Sequence, residues 1–244
     1  MRVVLGHLAP GGKILEIGAG TGYQARQLAE HQFEVTAVDL PIAATRAERV
    51  FPVLDYDGRN LPVEAESTDV VFTSNVLEHL VDPAPVHREI HRVLRPGGYC
   101  IHTVPSPAWR FWTNISNYVD LVQQWGRLAP GLIPRRFALG EVGRVAGVTL
   151  KIAKVTARQL VPSRLGEVGN SVSELWRFSR WYRRRYFLRH GFEVECIEPM
   201  GLLYTGDFVL GERWSLEGRE RAARRFGSAC VLYKVRPTAR EKRL

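Results

Sequence analysis

Residues Lys13 to Tyr23, Lys-Ile-Leu-Glu-Ile-Gly-Ala-Gly-Thr-Gly-Tyr, constrain this chain more than any other stretch. An apolar run, Ile14 to Ile17, has the composition of a strand buried on both faces. It breaks on Gly18, Gly20 and Gly22, and a helix-compatible run follows from Tyr23 to Glu30. A strand that turns on glycines into a helix brings backbone N–H groups and the positive end of a helix dipole beside a ligand. Glycine at those positions accepts φ > 0 and, lacking Cβ, lets the backbone approach closely. The dinucleotide-binding pattern is excluded, because its third glycine would fall at position 23, which is Tyr23.

Short β-rich runs alternate with helical ones over the rest of the N-terminal half. Strands are expected at Lys13–Ile17, Glu34–Val38, Val50–Asp55, Asp69–Thr73 and Tyr99–Val104. Helices are expected at Tyr23–Glu30, Ile42–Arg49, Val76–Leu80 and Ala84–Leu94, with Val93 to Gly98 as a tight turn. Such alternation means βαβ units with right-handed crossovers and a doubly wound parallel sheet. Ligands of these sheets bind at the carboxyl ends of the strands. Asp39, about twenty residues beyond the glycine loop, is placed to accept hydrogen bonds from vicinal ribose hydroxyls, or to cap the helix that Pro41 opens. Asp57-Gly58 follows the third strand, and Asn75 and His79 follow the fourth.

The succession "LEIGAGTG", "VTAVDL", "DGRNLP", "STDVVFTSNVLEHL" and "REIHRVLRPGG" resembles class I S-adenosylmethionine-dependent methyltransferases, and within them the ubiquinone/menaquinone methyltransferase group. The resemblance spans residues 13 to 104. It implies an α/β, mainly parallel seven-stranded Rossmann-like sheet and S-adenosylmethionine as cofactor. It further implies that Glu16, Gly18, Ala19, Gly20, Thr21 and Gly22 cradle the methionine part. Asp39 would hold the ribose, with Leu40 beside it among the cofactor-binding residues, Asp57 and Gly58 would face the adenine, and Asn75 would line the pocket beneath the sulfonium. Only about a dozen residues precede the first motif, so a lid over the cofactor is expected from another segment or from a longer chain.

Beyond the fifth strand, Pro105-Ser106-Pro107 interrupts the alternation and an aromatic segment follows. Residues 105–170 read as a helical insertion forming lid and acceptor site, with Leu150–Leu160 amphipathic or β-like. Residues 171–236 return to the same domain: a helix Glu174–His190, a strand Phe192–Glu198, a helix around Leu216–Phe226 and a strand Ser228–Val235. A basic tail, 237–244, ends the chain. On the helix 174–190, Leu175, Phe178, Tyr182, Tyr186 and Arg189 share one face, leaving Arg177, Arg180, Arg183, Arg184 and Arg185 outside.

Transfer of a methyl group from a sulfonium needs no metal, and none is expected. A hydroxyl acceptor gains from a general base. His79 is the candidate, His102 and Tyr23 follow it, and His87 and His91 read as surface residues. A small-molecule, glycan or lipid-type acceptor methylated on oxygen is favoured, the aromatic insertion suiting stacking. The +9 net charge comes from arginine in the C-terminal half, the first hundred residues adding nothing to it. It keeps open a nucleic-acid or protein methyltransferase, and peripheral membrane contact through 174–190. Nucleic acid is disfavoured, because no Pro-Cys or Asn-Pro-Pro-Tyr-like motif follows the fourth strand. An inactive cofactor-binding module is the third reading. Cys100, Cys196 and Cys230 form no Cys-x-x-Cys pair and suit the reducing cytoplasm.

Overall fold

The computed structural model describes residues 1–42, 46–133, 139–205 and 214–238. Seven strands form one sheet: β1 (Lys13–Ile17), β2 (Glu34–Asp39), β3 (Val53–Asp55), β4 (Thr68–Ser74), β5 (Leu94–Pro105), β6 (Phe192–Pro199) and β7 (Cys230–Pro237). Their order is β3-β2-β1-β4-β5-β7-β6. The first five run parallel, and β7 inserts antiparallel between β5 and β6. The order reverses between β1 and β4, which is where a doubly wound sheet opens a crevice for ligand.

Both faces are covered, so the central strands are mainly apolar rather than alternating. On one face Leu15, Ile17 and Val71 pack with Val86, Ile90 and Val93 of α3 (Ala84–Val93) and Phe187 of α7 (Arg180–Arg189). On the other, Ile14, Val70 and Phe72 pack with Val4 of α1 (Arg2–Leu5) and Leu28 of α2 (Tyr23–Glu30). No helix among the described residues is long and apolar enough to cross a membrane.

The insertion is helical. Ser106 caps α4 (Pro107–Leu128) by accepting a hydrogen bond from the Trp109 amide. α5 (Leu139–Gln159) returns antiparallel, joined to α4 where Asn117 donates to the Gln159 carbonyl and Trp125 Nε1 to Thr156 Oγ1. The segment with a β-like composition, Leu150 to Leu160, is thus mostly helix. Its Ile152, Val155 and Thr156 continue the three-to-four spacing of Val145 and Val148, and that spacing outweighs β-branched propensity.

Other expectations are corrected by local chemistry. The helix foreseen over 174–190 is two helices, α6 (Ser173–Arg177) and α7. Ser179 stands extended between them (ψ 148°) and its hydroxyl accepts from the Tyr182 amide, starting a new helix. The break resets the face: Arg183 turns inward and Arg189 outward. Val76 to His79 is a turn rather than a helix, following Asn75 at φ +54°. β3 begins only at Val53, since Pro52 has no N–H to donate. The turn foreseen at 93–98 lies inside β5 as a bulge: pairing passes from Thr68↔Leu94 to Val70↔Tyr99, with Gly97 at φ +83°. Of the helix Ile42–Arg49, residues 43–45 lie outside the described residues, as do 239–244 of the tail. α8 (Leu216–Phe226), capped by Ser215, lies where the sequence places it.

Candidate functional site

The glycine loop closes onto the carboxyl ends of β1 and β2. Gly18 and Ala19 both donate their amides to the Val38 carbonyl, and Gly22 donates to Ala19. The Gly20 amide donates to Asp39 Oδ2. These donors are therefore engaged within the protein, and what the loop offers a ligand is close approach. Gly18 stands at φ +76°, and a Cβ there would lie 2.4 Å from Val76 Cγ2. At Gly22, φ is +78° and a Cβ would lie 2.8 Å from Phe51 Cβ. Gly20, at φ +57°, faces open space apart from the Asp39 carboxylate, and Thr21 holds Val50 through its carbonyl.

Asp39 ends β2 half-buried, accepting from the Gly20 amide and, at Oδ1, from the Leu40 amide. A carboxylate has about four acceptor positions, so capacity for two hydroxyls is left. Asp57 is fully exposed and fastened into its own turn, accepting from the amides of Arg59 and Asn60 and from the Asn60 side chain. These donors pull its carboxyl down to about 2. Gly58 (φ +77°) brings its Cα side against Leu40, a Cβ there being 3.2 Å from Leu40 Cδ2. Leu40 and Gly58 thus form one shallow apolar wall suited to a flat ring.

Glu16 lies beneath the loop. It is 1% exposed, its Oε2 has no hydrogen-bond partner, and burial raises its carboxyl to about 8, opposed by a hydrogen bond from the Ala25 amide and reinforced by the Asp39 charge. A buried carboxylate with one oxygen left without a partner beside a glycine cradle fits a ligand that brings an ammonium group. Asn75 joins the loop through its neighbour Val76. Its amide donates to the Thr103 carbonyl, and the Cys230 thiol sits 3.6 Å from its Oδ1, itself 2.8 Å from the Tyr204 hydroxyl.

His79 is turned out to solvent, with Nδ1 3.7 Å from Glu167 Oε1. The residue before it, Glu78, is turned in: 5% exposed, with neither carboxylate oxygen hydrogen-bonded. Burial raises its carboxyl above the usual range. His102 is buried against Phe187, bonded to Thr73 Oγ1, and burial lowers it to about 3, so it is a neutral core residue. Tyr23 is exposed on the first turn of α2. The reading of His87 and His91 as surface residues is overturned. His87 is 2% exposed, within 2.8 Å of the Tyr186 hydroxyl, and lowered to about 2 mainly by burial; His91 stacks on Phe192 and reaches the His190 carbonyl. Glu78, Tyr204 and Cys230 are the residues that sequence reasoning missed. Only the "LEH" tripeptide hinted at the first, and it drew attention to the histidine instead.

Sheet order and glycine loop give this chain the fold of class I S-adenosylmethionine-dependent methyltransferases, and S-adenosylmethionine is the cofactor that this fold and its family model imply. The comparisons agree. Residues 15–102 match the family model described as "Methyltransferase domain". The chain is similar to the demethylmenaquinone methyltransferase of Corynebacterium urealyticum, at 41% identity over 37% of this chain and 40% of that protein. It is also similar to a ubiquinone biosynthesis O-methyltransferase of Pseudomonas aeruginosa, at 36% identity over 36% of this chain and 42% of the relative. The chain thus spans about two-fifths of the length of these relatives. A solved S-adenosylmethionine-dependent methyltransferase from Mesorhizobium loti shares the fold over 96% of both chains, with a TM-score of 0.53 and 17% identity.

The buried Glu16 yields a test. A carboxyl raised from 4.5 to about 8 in the folded chain binds more protons folded than unfolded between those values. Its favourable contribution is complete below about 4.5 and is lost as pH rises through 8. Glu16→Gln is therefore expected to melt higher than wild type at pH 8 and close to it at pH 5. The same variant should bind S-adenosylhomocysteine about tenfold to a hundredfold more weakly, from loss of one charge-assisted hydrogen bond. Melting curves that differ by the same amount at both pH values would overturn the assignment.

Proposed function

We propose that the protein transfers the methyl group of S-adenosylmethionine to an oxygen of a small-molecule, glycan or lipid-type acceptor. The observation that carries this reading is the Gly18–Gly20–Gly22 cradle closed by Asp39 over the buried Glu16 carboxylate, whose Oε2 has no partner. Glu16 pairs with the cofactor's ammonium, Asp39 with its ribose hydroxyls, and Leu40 and Gly58 with its adenine. Asn75 lines the region of the reacting carbon. The bound cofactor supplies an activated methyl carbon, and the protein's part is to hold the acceptor oxygen in line and exclude water.

The names of the relatives support a small-molecule acceptor, one being named for demethylmenaquinone and the other for ubiquinone biosynthesis. The insertion supports a covered acceptor site. Its exit runs against the turn after β4, where the Glu167 amide donates to the Glu78 carbonyl, so residues 105–170 serve as lid. A general-base role for His79 requires it to leave Glu167 and turn inward. Cytoplasmic location fits the three free thiols. Peripheral contact with an anionic membrane through 174–190 is a second reading, favoured by the exposure of Trp176 and Trp181 beside exposed arginines.

Titration calorimetry with S-adenosylmethionine and S-adenosylhomocysteine tests the first reading. Wild type should bind both at micromolar concentration, and Asp39→Ala at least tenfold more weakly, because the hydroxyl partners and the Gly20 anchor go together. Absence of binding by wild type would overturn the reading.

A further inference from the structure

A cavity of about 530 Å³ opens between the turn after β4 and helices α6 and α7. Trp176, Phe178, Trp181, Tyr182 and Tyr186 give it aromatic walls. Trp176 and Trp181 are more than half exposed, and their rings lie 5.0 Å apart. Four arginines line it, Arg177, Arg183, Arg185 and Arg189, against two carboxylates, Glu78 and Glu174. Glu174 is already committed: its Oε2 lies 3.2 Å from Arg110 Nη1, and its Oε1 accepts from the amides of Leu165 and Gly166.

The charges that remain are unusual for a protein interior. Arg183 is 3% exposed, with its guanidinium set between the rings of Phe178 and Tyr186 at 5.7 and 5.6 Å. Its Nε has no hydrogen-bond partner, and among the described residues no carboxylate lies within 4.0 Å of it. Glu78, which also lines the cavity, has two buried oxygens without hydrogen-bond partners. The two groups feel each other's charge but make no direct ion pair, so both keep hydrogen-bonding capacity that a ligand reaching both could use. A guanidinium fork flanked by aromatic faces matches a planar carboxylate, and an unpartnered carboxyl oxygen matches a hydroxyl donor. Glu78 is three residues beyond Asn75, on the same turn whose Val76 packs on Gly18. The cavity is therefore lined by the same turn that packs on the glycine loop.

We propose that this cavity is the acceptor site, and that it takes a planar hydroxylated carboxylic acid, with its acid group on Arg183 and its hydroxyl on Glu78. Trp176 and Trp181 stack on the ring, and Arg177, Arg185 and Arg189 raise the local concentration of anions. This assignment rests on the methyltransferase reading for the word acceptor, but binding at the cavity does not.

The test is a titration without cofactor, followed by tryptophan fluorescence and calorimetry, using caffeate, its methyl ester, and cinnamate, which lacks the hydroxyls. Caffeate should quench the fluorescence and bind. The ester should bind at least tenfold more weakly and cinnamate several-fold more weakly. Trp181→Ala and Arg185→Ala, both at exposed positions that leave the fold intact, should weaken caffeate about tenfold and a few-fold. Arg183→Lys should abolish the preference for the free acid, and Glu78→Gln should narrow the gap between caffeate and cinnamate. No binding of caffeate, equal binding of its ester, or affinity unmoved by Trp181→Ala and Arg183→Lys would overturn the proposal. S-adenosylhomocysteine binding without caffeate binding would sink this inference alone. Caffeate binding without S-adenosylhomocysteine binding would sink the methyltransferase reading and leave an acid-binding cavity.

Discussion

Gly18→Ala is expected to lower stability by about 2–5 kcal/mol and to abolish binding of S-adenosylhomocysteine. Two separate penalties combine. An L-residue held at φ +76° costs about 1–2 kcal/mol, because its Cβ crowds the following carbonyl. A methyl group 2.4 Å from Val76 Cγ2 cannot be accommodated without moving the turn after β4, and overpacking of this kind costs about 1–3 kcal/mol. For a chain of this size that corresponds to a fall of about 5–15 °C in melting temperature. The second site separates the terms. Val76→Ala removes the methyl that the added Cβ would strike, so the double variant should recover the packing part and keep the conformational part. A coupling energy near zero between the two substitutions would show that Gly18 does not meet Val76. Retention of wild-type cofactor affinity by Gly18→Ala would show that the cradle does not need this close approach.

The same residues show how far a sequence can be read. Gly18, Gly20 and Gly22 do adopt φ > 0, and Asp39 meets Gly20, because a strand–turn–helix unit is local and its chemistry sits in adjacent residues. β1, β2 and β6 follow from apolar or alternating runs for the same reason. What escaped reading depends on distant partners. His87 and His91 have the i, i+4 spacing of any helix face, and only Tyr186, His190 and Phe192, a hundred residues on, bury that face. Arg183 sits inside because Ser179 restarts the helix and rotates its faces, a competition between one side-chain cap and the backbone ladder. Glu78 and His79 exchange the roles their types suggest. Asn75 at φ +54° sets the direction of the turn, and Gly166, whose Cβ would stand 2.7 Å from the Glu78 carbonyl, presses the insertion against it.

That contact between insertion and turn depends on one buried ion pair, and its loss is the other large effect expected. Arg110 and Glu174 are 2% and 1% exposed, 3.2 Å apart at Nη1 and Oε2. Arg110 also donates from Nε and Nη2 to Asn114 Oδ1 within α4, while Glu174 Oε1 holds the amides of Leu165 and Gly166. Removing one partner of a buried pair leaves the other charge uncompensated and typically costs about 3–5 kcal/mol. Glu174→Ala should reach the top of that range, because two backbone amides lose their acceptor as well. Glu174→Gln keeps an acceptor oxygen and should fall near the bottom. Replacing both charges, as Arg110→Met with Glu174→Gln, leaves no orphaned charge and should restore much of the loss. Urea unfolding of wild type, the two single variants and the double variant distinguishes a pair that acts as a unit, with a coupling energy of about 1–3 kcal/mol, from two independent contacts that simply add. Additive losses would mean that the ion pair is not what fastens residues 165–167 over Glu78. A coupled loss, accompanied by weaker caffeate binding in Glu174→Gln, would tie the insertion's attachment to the shape of the cavity, because Gly166 and Glu78 both line it.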